Sequence, residues 1–129
     1  MDDWNYCIST LPKVSRTFAL NISVLKGDLH RSILVAYLFC RTIDTVEDAS
    51  KLETSIKIKL LLNFASILKN TKNRSSTVDQ WTKHASVVDG SPTDIDLLQN
   101  IRRVFNIFDS LQETHQQQII SSVCTMAQG

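Results

Sequence analysis

The sequence predicts an all-α protein, on three observations. Helix breakers are scarce, with three glycines and two prolines, and such a chain favours long helices over short strands and turns. Apolar residues recur at helical spacing, as in Ile56, Leu60, Leu61, Phe64 and Leu68. Capping signals such as Asp2-Asp3 and Ser91-Pro92-Thr93-Asp94 precede the periodic stretches.

Element by element, Asp2 or Asp3 caps a short helix that should end near Leu11-Pro12, because proline cannot continue a helix. Phe18, Ala19, Ile22 and Leu25 suggest a second short helix, broken by Gly27-Asp28. A third should run from about Leu29 to Ala49. Its centre, Ile33 to Cys40, is apolar on every side, as in a helix buried inside a bundle. Ser50-Lys51-Leu52-Glu53 has the spacing of a capping box and should open a fourth helix. The polar stretch Lys69–Thr77 reads as a surface loop, and Gln80–Val88 as a short helix. From Ser91 a single long amphipathic helix is expected, carrying Ile95, Leu98, Ile101, Val104, Phe105, Phe108, Leu111, Ile119, Ile120, Val123 and Met126. Four shorter helices are too few to cover that face, so residues 1–129 are expected to be one helical segment, the N-terminal part of a larger domain.

Composition narrows the function classes. Hydrophobic residues at 43% and charged residues at 21% describe an ordinary globular chain rather than a disordered one. A net charge of +1 supplies no basic field for nucleic acid. Cys7, Cys40 and Cys124, and likewise His30, His84 and His115, are scattered without metal-ligand spacing, which argues against zinc and for reduced, packed thiols. The N-terminus lacks the basic and apolar regions of a secretory signal. The apolar run Ile33–Cys40 falls short of the roughly 20 residues that a membrane span needs. The expected location is cytoplasmic, with peripheral membrane association possible only through a further C-terminal part.

The chemistry concentrates at the end of the third helix. Tyr37, Arg41, Asp44 and Asp48 are spaced four, three and four apart, so they fall within about a 60° arc of one face. Glu47 lies at the edge of that stripe, and Ile33 and Leu34 precede it. Asp44 and Asp48 would stand about 6 Å apart along the axis. Like charges so close repel unless a cation bridges them, and Mg²⁺ is satisfied by one or two carboxylates together with water and phosphate oxygens. These acids also oppose the helix macrodipole at a cost of about 0.3–1 kcal/mol each. The bland alternative is a set of solvated acids capping an exposed helix end beside Arg41. A second candidate is Ser15-Arg16-Thr17-Phe18, where hydroxyls and an arginine at a helix start suit phosphate, although serine and threonine are also ordinary caps.

Ser15-Arg16-Thr17-Phe18-Ala19, followed by Tyr37-Leu38-Phe39-Cys40-Arg41-Thr42-Ile43-Asp44-Thr45-Val46-Glu47-Asp48, resembles the squalene/phytoene synthase family. The detailed likeness spans about Val14 to Ala49 and returns weakly at Ser122–Gly129. The wording Asp44-Thr45-Val46-Glu47-Asp48 is nearer the squalene synthase branch than the phytoene branch. The resemblance implies an all-α isoprenoid-synthase bundle around a central cavity. It implies Mg²⁺-dependent head-to-head condensation of two farnesyl diphosphates, or similar prenyl diphosphates, through presqualene diphosphate, followed in squalene synthases by NADPH reduction.

Carried over by residue, Asp44 and Asp48 would bind Mg²⁺ with Glu47 in support, and Arg41 would contact diphosphate. Ser15, Arg16 and Thr17 would bind the other diphosphate. Phe18 and Tyr37 would face the carbocation, and Ile33 and Leu34 would wall the farnesyl tail. The family's second aspartate-rich motif does not occur here; Asp94-Ile95-Asp96 sits in the first turn of a helix, where acids are ordinary. Family chains are more than twice this length, so the 129 residues alone are expected to be inactive. Two alternatives remain: phytoene or dehydrosqualene synthesis without hydride transfer, and a non-catalytic helical module docking a partner through Ile101, Val104, Phe105 and Phe108.

Overall fold

The computed structural model describes residues 2–15 and 27–128. Every regular element among them is helical: α1 (Asp3–Val14), α2 (Gly27–Asp48), α3 (Thr54–Lys69), α4 (Arg74–His84), a 3₁₀ turn (Ala85–Val87), α5 (Pro92–Gln99), α6 (Ile101–Ser110) and α7 (Glu113–Gln128). The all-α expectation holds. The short helix expected at Phe18–Leu25 lies outside the described residues.

Helix α2 is the centre of the bundle and packs against α1, α3, α5, α6 and α7. Its apolar middle explains the position: Leu34, Val35, Leu38 and Phe39 are fully enclosed, as an all-round apolar helix requires. Phe39 meets Phe64 and Phe108 with ring centroids 5.6 Å away in each case. Trp81 continues the cluster from Phe64 and donates its indole N–H to the Leu60 carbonyl at 2.9 Å, which satisfies its buried polar atom.

Several boundaries differ from expectation for identifiable reasons. Helix α1 passes through Pro12 to Val14. The proline forfeits its own backbone bond, but burial of Leu11 and Val14 carries the helix one further turn. Helix α2 begins at Gly27, whose φ of +65° is left-handed and suits a residue without Cβ. The expected capping box at Ser50 does not form. The N-cap of α3 is Glu53, without a side-chain cap bond, because Ser50 turns instead to Asp89. The α3 stripe is as expected at Leu60, Leu61, Phe64 and Leu68, whereas Ile56 is exposed.

The helix expected at Gln80–Val88 is present but starts earlier, as α4 from Arg74, inside part of the segment read as a loop, and it ends in the 3₁₀ turn Ala85–Val87. Arg74 is the cause. It is buried, pairs with Asp109, and donates to the carbonyls of Ile67 and Leu68 at the end of α3. Its guanidinium also lies 5.3 Å from the Phe108 ring centroid.

The single long helix expected after Ser91 is three helices. At Asn100 the side chain donates to the Asp96 carbonyl at 2.9 Å, offering the backbone an alternative to continued helix. After α6, Gln116 donates to the carbonyls of Phe108 and Leu111, capping the helix end from α7. The folded-back segments cover their own face: Leu98, Ile101, Val104, Phe105, Phe108 and Val123 are all at most 1% exposed. The stripe assigned to partner docking in the helical-module alternative is therefore core.

Candidate metal and diphosphate site

The end of α2 forms one wall of a recess of about 90 Å³ lined by Arg41, Asp44, Thr45, Asp48, Asp89, Gly90 and Asp94. Helix α2 supplies the first four residues, and the connection into α5 with its first turn supplies the rest. The arrangement follows from α2's pattern. Leu38, Ile43 and Val46 are held in the core, and the polar stripe faces the other way.

Of the residues singled out from sequence, Arg41, Asp44 and Asp48 are thus brought together. Asp44 is half-buried and Asp48 exposed. Tyr37 is half-buried one turn earlier, and neither it nor the exposed Glu47 lines the recess. Ser15 is the C-cap of α1, its backbone N–H bonded to the Leu11 carbonyl. Arg16, Thr17 and Phe18 lie outside the described residues. Of the two apolar residues proposed as tail walls, Ile33 is half-buried, but Leu34 is fully enclosed and belongs to the core.

Electrostatics match a site with surplus negative charge. The Asp44 carboxyl is raised above its ordinary 3.8, first by burial and then by the nearby Asp48 charge, with Arg41 acting in the opposite sense. Glu47 is raised likewise by burial and then by Asp44 and Asp48, with Lys57 opposing. Lys57 of α3 donates to the Glu47 carbonyl at 2.8 Å. That places a cation at the helix end, where the macrodipole favours one, and where α2 has no basic residue of its own.

Three contributors escaped the sequence reading. Asp89 accepts hydrogen bonds from Ser50 Oγ at 2.8 Å and from the backbone N–H groups of Ser50 and Lys51; its carboxyl is lowered, chiefly by the Ser50 hydroxyl. Asp94, read as an ordinary first-turn acid, is buried and ion-paired to Arg41. Lys57 is the third. Each reaches the α2 terminus from another element, so no spacing within one helix signals it.

Among the described residues, no group of three or more His, Cys, Asp and Glu side chains is gathered closely enough to hold a metal ion by itself. A paired Asp44 and Asp48 with repelling charges still fits Mg²⁺, which takes one or two carboxylates and completes its shell with water and phosphate oxygens. The donor set is all oxygen, as a hard cation prefers.

Comparison with known proteins identifies the family of the chain. The family model for squalene/phytoene synthase matches residues 11–129. The chain belongs to the squalene/phytoene synthase family. It is similar to squalene synthase of Nicotiana benthamiana, 42% identical over 62 residues, a segment covering 48% of this chain and 15% of that protein. Squalene synthase 1 of Arabidopsis thaliana is 43% identical over 61 residues, covering 47% of this chain and 15% of that protein. The solved complex of TcSQS with the ligand BPH1237 superimposes with a TM-score of 0.80 and 26% identity, covering 97% of this chain and 33% of that one. The chain thus spans about a third of that structure, and its matched segments a smaller share of the two plant relatives.

Proposed function

We propose that this chain carries one metal–diphosphate wall of a squalene-type, head-to-head prenyltransferase acting on two farnesyl diphosphates. The observation that carries this reading is the recess lined by Arg41, Asp44 and Asp48, with the Asp44 charge disfavoured by burial and by Asp48. Membership in the squalene/phytoene synthase family and likeness to squalene synthases support it.

In this proposal Asp44 and Asp48 hold Mg²⁺, with Glu47 in support, and Arg41 binds diphosphate oxygens. Bound Mg²⁺ would neutralise charge developing on the leaving diphosphate. Ser15, Arg16 and Thr17 serve the other diphosphate. Tyr37 and Phe18 offer aromatic faces to the allylic cation, and Ile33 contributes apolar wall that excludes water. The 129 residues alone are proposed to lack turnover, since they carry the first aspartate-rich motif but not the family's second one. In the squalene-type reading NADPH would supply the hydride. No described helix is long and apolar enough to cross a membrane.

Asp44→Asn and Asp48→Asn, each introduced into the complete protein, are expected to abolish Mg²⁺-dependent product from farnesyl diphosphate. Near wild-type turnover in either would refute the metal role. Product analysis with and without NADPH separates squalene formation from dehydrosqualene or phytoene-type synthesis. A helical scaffold with no catalytic role would show no Mg²⁺-dependent affinity for a prenyl diphosphate analogue.

A further inference from the structure

We propose that Asp94 is a positioning residue that holds Arg41 for diphosphate and away from the metal-binding acids. The proposal rests on the reading of Arg41 as a diphosphate contact.

The Arg41 guanidinium meets the Asp94 carboxylate side-on, with Nε to Oδ1 and Nη2 to Oδ2 both at 3.0 Å. A guanidinium has five N–H donors in a rigid fork. Two are engaged by Asp94, and two of the remaining three lie along the Nη1–Nη2 edge, which matches a pair of phosphate oxygens. The Asp94 side chain is 12% exposed and the Arg41 side chain 35%, so the carboxylate forms the inner partner and the guanidinium the outer. Both line the recess that Asp44 and Asp48 share.

Asp94 is itself held. It stands in the first turn of α5, and its backbone N–H donates to Oγ of the N-cap Ser91 at 3.2 Å. The helix start fixes the carboxylate, and the carboxylate fixes the arginine. The alternative partner is close at hand. An arginine three residues before an aspartate on one helix is placed to pair with it, yet Arg41 makes its ion pair with Asp94 and not with Asp44. A pairing with Asp44 would occupy a proposed metal ligand and turn the guanidinium fork inward. Asp94 prevents both.

Electrostatics alone gives the opposite forecast, which makes the idea testable. Removing a negative charge beside an anion site should tighten anion binding. If Asp94 positions Arg41, removing it should weaken that binding. The experiment titrates inorganic pyrophosphate, with Mg²⁺ present, into the wild-type protein, Asp94→Asn, Asp94→Glu, Arg41→Lys and the double variant Arg41→Lys/Asp94→Asn, with thermal melting as the folding control.

Asp94→Asn is expected to weaken pyrophosphate binding about tenfold through misorientation. Asp94→Glu should fall between it and wild type, and the double variant should bind no more weakly than Arg41→Lys alone. Equal or tighter binding by Asp94→Asn overturns the positioning role. Should that variant fail to fold, Asp94→Glu carries the test, with unchanged or tighter binding as the overturning result. An Arg41→Lys variant that binds like wild type, or a wild type that binds no pyrophosphate, overturns the Arg41 assignment itself and the positioning role with it.

Discussion

Phe39 packs on Phe105 with ring centroids 4.8 Å apart and planes tilted by 47°. The contact ties α2 to α6, and both rings are at most 1% exposed. Phe39 thus anchors the core side of the helix whose other side carries Asp44 and Asp48. Truncating a phenylalanine in so complete a ring cluster costs about 3–5 kcal/mol. Phe39→Ala should lower the urea unfolding midpoint accordingly, and a loss under about 1 kcal/mol would show that the cluster is not the core.

The Asp44 carboxyl sets a pH dependence with a definite sign. Asp44 titrates above its ordinary 3.8 in the folded chain. Between the two values the folded state binds more protons than the unfolded state, so stability falls as pH rises. The penalty is absent below the ordinary value and complete above the raised one. Asp44→Asn removes it. The variant's melting temperature relative to wild type should climb as pH is raised from about 3.5 to 7, ending at most a few °C above it, a discount made for solvent screening. Added Mg²⁺ should stabilise wild type more than the variant. A difference that stays constant across the pH range would contradict the assignment.

Thiol reactivity offers an independent check on packing. Cys7 is fully enclosed and Cys124 nearly so, whereas Cys40 is half-buried. Burial pushes the Cys7 thiol up to about 12, and it raises Cys40 as well, with Asp44 adding to the effect. Alkylation requires both access and thiolate. Iodoacetamide should modify Cys40 slowly in the native protein and reach Cys7 and Cys124 only on unfolding. Native labelling of Cys7 at a rate matching Cys40, mapped by mass spectrometry, would contradict the helix packing.

Legibility varied with the range of the interaction. The centrality of α2 was readable because an apolar run such as Ile33–Cys40 has no polar face to offer water. The start of α5 was readable because Ser91, Pro92 and Asp94 act within one turn. The breaks at Asn100 and near Gln112 were not, because no glycine or proline marks them. One depends on an asparagine bonding back to Asp96 and the other on Gln116 reaching across from α7. The helical start at Arg74 was hidden for a similar reason: a charged residue in a polar stretch reads as surface until its partner Asp109 and the α3 carbonyls surround it.

By itself, the sequence determined the helical class, the family resemblance and the shared face of Arg41, Asp44 and Asp48, because each depends on local order along one chain segment and a 3.6-residue turn. Tertiary structure alone decided what those side chains meet. It brought Asp94, Asp89 and Lys57 to the end of α2 from three other places in the chain, and it turned the C-terminal stripe inward. Such pairings depend on how helices pack and where they break, and the free energies that settle them are sums over many distant contacts that no local spacing encodes.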